Sequence, residues 1–311
     1  MGFVALVFAL LIEQGRPLPA GNAVHRLFVT LADAVMHGTN AGERQHGVFG
    51  WLLLVGGSCG AVLLLQWGFA FIHPLAVFCL HVAVLYLCVG FRQFSHPFTL
   101  IQLALAEGDL PAARRLLSQW VTDDEDQSAY ADASQAEVCR AAIAHALVAT
   151  HRHVFGPLLW YVLLPGVAGP VLYRLAEMLW RRWPPSDAAY GWWAGQAYSA
   201  IDWLPVRLSA VGFAIVGNFE DAVYAWRGAA AAGPRDDGRA LLLAAGGGAL
   251  GMRLAEPALE ARWASEGQGF EPVGAEAGPD GLRSAVGMVW RAVVLWIGLF
   301  AMLSAASWLG R

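Results

Sequence analysis

The chain has 311 residues, of which 57% are hydrophobic and 14% are charged, and its formal net charge at pH 7 is −4. Because a soluble globular domain carries about 25% charged residues, this composition favours an integral membrane protein whose main partner is the lipid bilayer. The negative charge and the lack of a basic tail exclude a nucleic-acid-binding protein. The four cysteines are scattered without the spacing of a metal or redox motif, so neither a metal site nor a cofactor is expected.

The strongest membrane signal extends from Gly47 to Phe91, where no Asp, Glu, Lys or Arg occurs. This length holds two helices of about 20 residues and a turn, which falls at Pro74 because proline lacks a backbone donor and disfavours helix before it. The pattern predicts a transmembrane hairpin over residues 48–91. Arg44 precedes the hairpin and Arg92 follows it, so the positive-inside rule places both outer ends in the cytoplasm.

Residues 97–140 have the pattern of a cytoplasmic helical hairpin. The run IQLALAEGDLPAARRLLSQWV predicts a helix, a turn at Gly108, and a second, amphipathic helix that Asp109 can cap, with Pro111 in its first turn. The acidic run at 123–126 follows. It is interpreted as a solvated loop, and a divalent-cation site is the alternative.

The uncharged stretch 154–173 is long enough to cross a membrane, but its pattern favours a broken or re-entrant element. Its three prolines and three glycines would each weaken or break a helix. Arg152 precedes the stretch and Arg174 follows it, so a single crossing would violate the positive-inside rule. Broken backbone is tolerated at membrane depth only where protein or a polar cavity covers it.

The last part of the chain predicts one further crossing. Residues 264–280 are polar and rich in Gly and Pro, which predicts an exposed loop. Residues 292–310 form an uncharged stretch that follows Arg291, which predicts a C-terminal transmembrane helix. Residues 1–311 are therefore predicted to form a single all-α, polytopic membrane domain in a bacterial inner membrane, and a homo-oligomer is left open.

Three groups of polar residues within or beside apolar sequence are candidates for ligand binding. The groups, in chain order, are His151, Arg152 and His153; Asp202 and Arg207; and Glu220, Asp221 and Arg227. Arginine suits an anionic small molecule because its planar guanidinium makes two hydrogen bonds at once. A structural explanation stays open for each group: a positively charged membrane boundary, an ion pair that fixes a bend, and a charged helical face, respectively.

The segment LLLAAGGGALGM, residues 241–252, is apolar and rich in glycine. It lies outside the strand–turn–helix context of a dinucleotide-binding motif, and the chain contains no lysine for a Walker motif. We therefore interpret the glycines as sites of close packing between helices.

The order of these segments resembles the membrane superfamily that joins the CobD/CbiB cobalamin-biosynthesis proteins with AmpE, a bacterial inner-membrane protein associated with β-lactamase induction. The stretches EGDLPAARRLLSQWV, CRAAIAHALVATHRHVFGPLLW, DWLPVRLS and AAGGGALG occur in the family's order. Together they cover almost the whole chain, and DWLPVRLS is the most specific of them.

Membership of the CobD/CbiB branch implies an enzyme that joins adenosylcobyric acid to an aminopropanol derivative through an amide. Members of that branch typically carry the signature E-x-x-x-E-N-x-x-D-G. In this resemblance, its specified positions correspond to Ala144, Val148, Ala149, Arg152 and His153. No carboxylate stands at these positions, and neither Ala nor Val can bind Mg²⁺ or act as a general base.

The chain is therefore most similar to the AmpE-type branch, which has an arginine at the Arg152 position and a match to DWLPVRL. This resemblance implies a non-enzymatic, regulatory or sensory protein of cell-envelope metabolism that binds an anionic ligand in a cytoplasm-facing cavity. The alternative is a CobD/CbiB-type enzyme, an adenosylcobinamide-phosphate synthase that forms an amide with aminopropanol phosphate.

Overall fold

A computed structural model describes residues 2–16, 18, 21–121, 130–183, 189–232, 238–255 and 274–309. The described residues are helical apart from turns and one isolated bridge between Met252 and Ala275. The helices are α1 Gly2–Gly15, α2 Ala23–Thr39, α3 Arg44–Trp51, α4 Gly57–Ile72, α5 Pro74–Cys88, α6 Phe91–Ala106, α7 Leu110–Trp120, α8 Gln135–Thr150, α9 Gly156–Leu163, α10 Ala168–Arg182, α11 Trp192–Val216, α12 Phe219–Ala232, α13 Gly238–Leu250 and α14 Pro279–Leu309. Two π-helical turns, Leu52–Gly56 and His151–Phe155, join α3 to α4 and α8 to α9.

Three helical stretches among the described residues are long and apolar enough to cross a membrane: Arg44–Ile72, Trp192–Val216 and Pro279–Ser307. They confirm the predicted all-α, polytopic membrane fold. The sequence pattern does not predict the span Trp192–Val216, because Asp202 and Arg207 interrupt its apolar run. Its length allows a crossing because α11 continues through Pro205 without a break.

The predicted hairpin region consists of the stretch Arg44–Ile72 and the shorter helix α5. His73 adopts an extended conformation, its ring Nδ1 accepts a hydrogen bond from the backbone N–H of Leu75, and Pro74 begins α5. At 15 residues, α5 is shorter than the roughly 20 residues that a perpendicular crossing needs. A transmembrane hairpin with two complete crossings therefore stays a prediction.

The chain folds into two compact units, each built from segments that are separated in sequence. The first comprises residues 1–93, 153–205 and 300–311, and the second comprises residues 94–152 and 206–299. In the first unit, α1 packs along α5, and α10 packs against α9, α4 and α5. The predicted single domain over 1–311 stays a prediction.

The broken element lies in the first unit, and a left-handed glycine and a side-chain hydrogen bond accommodate its break. Helix α9 ends at Leu163, Gly166 adopts a left-handed conformation with φ of +69°, and α10 begins at Ala168. The backbone N–H of Val167 donates to Oε1 of Gln66, on α4, at 3.2 Å. A side chain from a neighbouring helix thus satisfies a backbone group that the break exposes, as an apolar environment requires.

In the second unit, α8 packs against α7 and α13, and α12 packs against α13. Asp109 accepts a hydrogen bond from the N–H of Ala112 at the start of α7, which confirms the predicted cap. Ser134 and Glu137 form a capping box at the start of α8. The hydrogen bonds from Ser134 hold the pKa of the Glu137 carboxyl below its ordinary value.

The glycines of α13 confirm the predicted close packing. A Cβ atom on Gly248 would overlap the carbonyl oxygen of Asp221, in α12, and one on Gly246 would approach Leu147, in α8, to 2.6 Å. Glycine is therefore required where this helix touches its neighbours. The acidic run 123–126 and the part of the predicted loop before Gly274 lie outside the described residues.

Candidate functional site

The basic residues His151, Arg152 and His153 begin a π-helical turn, not a regular helix. Helix α8 ends at Thr150, whose hydroxyl donates to the carbonyl oxygen of Ala146, and the π-turn His151–Phe155 follows directly. A π-turn inserts an extra residue into a helix and is frequently found at functional sites, because it redirects the side chains around it.

His151 is the best-defined polar residue of this turn. It is 2% exposed, and its Nδ1 lies 2.9 Å from the hydroxyl oxygen of Ser209, which is fully buried on α11. Both residues belong to the second unit. Because imidazole and hydroxyl can each donate or accept, the pair can accept a proton and pass it on.

Arg152 is also buried, with 6% of its surface exposed. Removing a guanidinium from water is costly unless the charge is compensated. An arginine that only marks a membrane boundary keeps its charged end in water, so this burial favours a role inside the protein. Ligand binding by Arg152 stays a prediction.

His153 belongs to the first unit and is half-buried. Its backbone carbonyl oxygen accepts a hydrogen bond from the N–H of Gly90, which follows α5, at 3.2 Å. This contact fixes the end of α5 against the start of the broken element.

Asp202 lies in a cluster of hydroxyl groups in the first unit. The hydroxyl of Tyr173 donates to Oδ1 of Asp202 at 2.8 Å, and the Tyr198 hydroxyl lies 3.4 Å from that of Tyr173. Trp180 stacks on Tyr198 with ring centroids 4.8 Å apart. Gly156 permits this cluster, because a Cβ atom there would overlap the ring of Tyr173.

Arg207 is five residues further along α11 from Asp202, in the second unit. At 100° per residue, five positions rotate a side chain by about 140°, so a regular helix directs the two residues to different sides. The helix also continues through Pro205, and the predicted role of an Asp202–Arg207 pair in fixing a bend stays untested.

The third candidate group lies at the start of α12 and along it. Asp221 accepts a hydrogen bond from the side-chain amide of Asn218 at 2.6 Å. The backbone N–H of Asp221 donates in return to Oδ1 of Asn218. Asn218 thus occupies the position of a helix cap. Glu220 and Arg227 are exposed on the helix surface, and ligand binding by this group stays a prediction.

Sequence reasoning missed Glu177, a buried charge in the first unit. Glu177 is 3% exposed and forms ion pairs with both Arg174 and Arg181, the latter at 3.0 Å. The spacings of three and four residues place all three side chains on one face of α10. That spacing is visible in the sequence. The positive-inside rule counts these arginines only as positive charge, and it does not consider their pairing with Glu177.

The described residues contain no group of three His, Cys, Asp or Glu side chains that could hold a metal ion. The alternative of a divalent-cation site at 123–126 stays a prediction, because those residues lie outside the part of the chain that the structure describes. The polar groups described above include an imidazole–hydroxyl pair, a buried arginine, a carboxylate bonded to tyrosine, and a buried carboxylate paired with two arginines.

The fold and these buried polar groups define an all-α, polytopic membrane protein with polar chemistry inside it. The model of the family CobD/Cbib protein matches residues 4–289. The chain therefore belongs to the CobD/CbiB family. No solved structure matches it.

Three relatives carry the name cobalamin biosynthesis protein CobD. The protein of Chromobacterium violaceum is 32% identical over 272 residues, covering 83% of this chain and 81% of the relative. The protein of Stutzerimonas stutzeri is 30% identical over 312 residues, covering 95% of both chains. The protein of Pelobacter propionicus is 26% identical over 211 residues, covering 67% of this chain and 64% of the relative.

These comparisons show that the predicted AmpE-like, regulatory function is wrong. The relatives that align with most of this chain are named for cobalamin biosynthesis. The prediction gave too much weight to five signature positions. Those five positions are a small part of the chain, whereas similarity over nearly the whole chain identifies the family.

Proposed function

We propose that this protein acts in cobalamin biosynthesis as a CobD-type enzyme of the bacterial cytoplasmic membrane. The reaction joins a carboxyl group of a corrinoid to the amine of aminopropanol phosphate as an amide, with net loss of water. The observation that carries this proposal is the 30% identity with the Stutzerimonas stutzeri CobD protein over 95% of both chains. The three candidate membrane spans support the location.

Amide formation needs a group that removes a proton from the attacking amine. The carboxylate signature cannot supply it, because Ala144, Val148 and Ala149 are apolar and buried on α8. The imidazole of His151 follows these residues directly and is bonded to Ser209. We therefore assign the base to His151, and an anion-orienting role to Arg152.

Complementation tests this function. The gene is expressed in a bacterium that lacks its own CobD and needs cobalamin for growth, and the corrinoids are identified by mass spectrometry. We expect restored growth and a new corrinoid that carries the amide-linked aminopropanol unit. A chain that accumulates in the membrane but forms no such corrinoid contradicts the proposal.

A pair of variants tests the residue assignment separately. His151→Ala is expected to abolish the amide product, whereas His37→Ala, at an exposed position on α2, is expected to retain it. Equal accumulation of both variants in the membrane fraction is the control. Full product formation by His151→Ala shows that His151 is not the base. That result does not contradict the proposed function.

The proposed re-entrant path of residues 154–173 has its own test. Single cysteines are introduced at Gln135, exposed at the start of α8, and at Arg182, exposed at the end of α10, after the native cysteines are replaced. A membrane-impermeant maleimide is expected to label both positions from the same side. Labelling from opposite sides shows that the segment crosses the membrane.

A further inference from the structure

A cavity on the surface of α7 is separate from the residues assigned above. Its volume is about 450 Å³, and it lies in the second unit. The lining residues are Pro111, Arg114, Arg115, Ser118, Gln119 and Ala131. The five that belong to α7 cover a continuous arc at 100° per residue, opposite the buried side chains of Ala113 and Leu117.

Arg114 is held in place by the backbone. Its Nε donates to the carbonyl oxygen of Ala133 at 2.7 Å, and this hydrogen bond does not engage either Nη group. The acidic residue Glu137 accepts a hydrogen bond from the N–H of Ser134 at 2.6 Å as part of the helix cap. Glu137 does not line the cavity, although its carboxylate interacts electrostatically with Arg114.

The charge of the lining selects the ligand. Among the described residues, the cavity wall contains two arginines and no carboxylate. A phosphate monoester carries a charge of about −1.5 to −2 at neutral pH and presents three acceptor oxygens. Two guanidinium groups match that charge, and the hydroxyl of Ser118 adds a neutral hydrogen-bonding group.

The size of the cavity also selects the ligand. Small-molecule sites typically measure about 300–1,000 Å³, so 450 Å³ accommodates a phosphate group together with a small organic part. Helices α7 and α8 are not among the candidate membrane spans. We take a soluble ester as the ligand, and the experiment below distinguishes it from a lipid headgroup.

We propose that this cavity binds a soluble phosphate monoester through Arg114 and Arg115. The site stands on its own residues, and its occupancy does not depend on the proposed amide synthesis. Arg115 is the sharper probe of the two arginines. It is exposed on α7, so its replacement is expected to leave the fold unchanged.

Isothermal titration of the full-length protein in detergent tests the site, with glycerol 3-phosphate as the probe and glycerol as its uncharged counterpart. We expect glycerol 3-phosphate to bind and glycerol not to bind. Arg115→Gln is expected to weaken binding roughly 10-fold or more, since it removes a charged hydrogen-bond donor. Arg114→Lys is expected to weaken it as well, because lysine lacks the planar fork.

Arg253→Gln is the matched control, because Arg253 is an exposed arginine of the same unit outside the cavity. It is expected to bind like the unmodified protein. Equal weakening in Arg253→Gln, equal binding of glycerol, or absence of binding by the unmodified protein overturns the proposal. Binding confined to micelles that contain phosphatidic acid overturns the assignment to a soluble ester.

Discussion

Helices α10 and α12 each contain at least one acidic residue together with a tryptophan and arginine, yet their charged side chains have different surroundings. In α10, Glu177 is buried between two arginines. In α12, Glu220 and Arg227 are exposed. The spacing explains the ion pairs of α10: residues three or four apart touch on a helix, whereas residues seven apart share a face but are separated by two turns, or about 10 Å.

The strongest test of this contrast removes the acidic residue from each helix. Glu177→Ala leaves two arginines without their shared carboxylate, and we expect a loss of about 2–4 kcal/mol in the free energy of unfolding. Glu220→Ala is the matched control, and an exposed substitution of this kind changes stability by about 0.5 kcal/mol or less. Denaturant titration in detergent compares them. Equal losses in the two variants contradict the burial argument.

A second prediction concerns the glycine contact between α12 and α13. Gly248→Ala forces a methyl group onto the carbonyl oxygen of Asp221, so we expect a loss of about 1–3 kcal/mol. Gly68→Ala, on α4, meets nothing within 4 Å. It should leave stability unchanged or raise it by up to about 1 kcal/mol, because alanine favours helix. Tolerance of alanine at both positions shows that the close approach does not constrain α12.

A third prediction concerns the buried pair at the second π-turn. Ser209→Ala removes the hydroxyl bonded to His151, and we expect a loss of about 1 kcal/mol in the free energy of unfolding. Ser209→Thr keeps the hydroxyl and is the control. In the complementation assay, Ser209→Ala is expected to form less amide product than Ser209→Thr. Equal product from both contradicts a role for this contact.

The smallest effect is expected at an exposed ion pair. Arg182 donates from Nε and Nη2 to the two carboxylate oxygens of Asp33, each at 2.7 Å, and these hydrogen bonds hold the pKa of Asp33 below its ordinary value of 3.8. Since the folded pKa is lowered, the stabilisation is present above that ordinary value. It is lost as the pH falls through the folded pKa.

The variant Asp33→Asn measures the contribution of this ion pair to the free energy of unfolding. Because half of the Arg182 side chain is exposed, solvent screening limits the contribution to about 0.2–1 kcal/mol. At pH 7 the unmodified protein should be more stable than the variant by that amount, and the difference should vanish below the folded pKa. A difference that grows on acidification contradicts the assignment.

The candidate site was predictable in part. The residues around the second π-turn are conspicuous in the sequence because a histidine and an arginine stand within an apolar run. Ser209 could not be found in this way, since a serine on an apolar helix has no local signature. Its contact with His151 joins residues 58 positions apart.

The fold was predictable where local rules are strong. The cap at Asp109 and the glycine packing of α13 follow from side-chain geometry and steric limits. The span Trp192–Val216 was missed, because charge counting treats Asp202 as exposed to lipid. In the structure, Tyr173 bonds its carboxylate, so the polar group is satisfied inside the protein.

The sequence by itself determined that this is an all-α membrane protein of the CobD/CbiB family. The length of an apolar run and the need to satisfy every backbone group locally are properties of consecutive residues. Only the tertiary structure decided which charged residues are buried. Burial depends on neighbours that are distant in sequence, as when the buried His151 contacts Ser209 across 58 positions, and hydropathy along the chain does not contain that information.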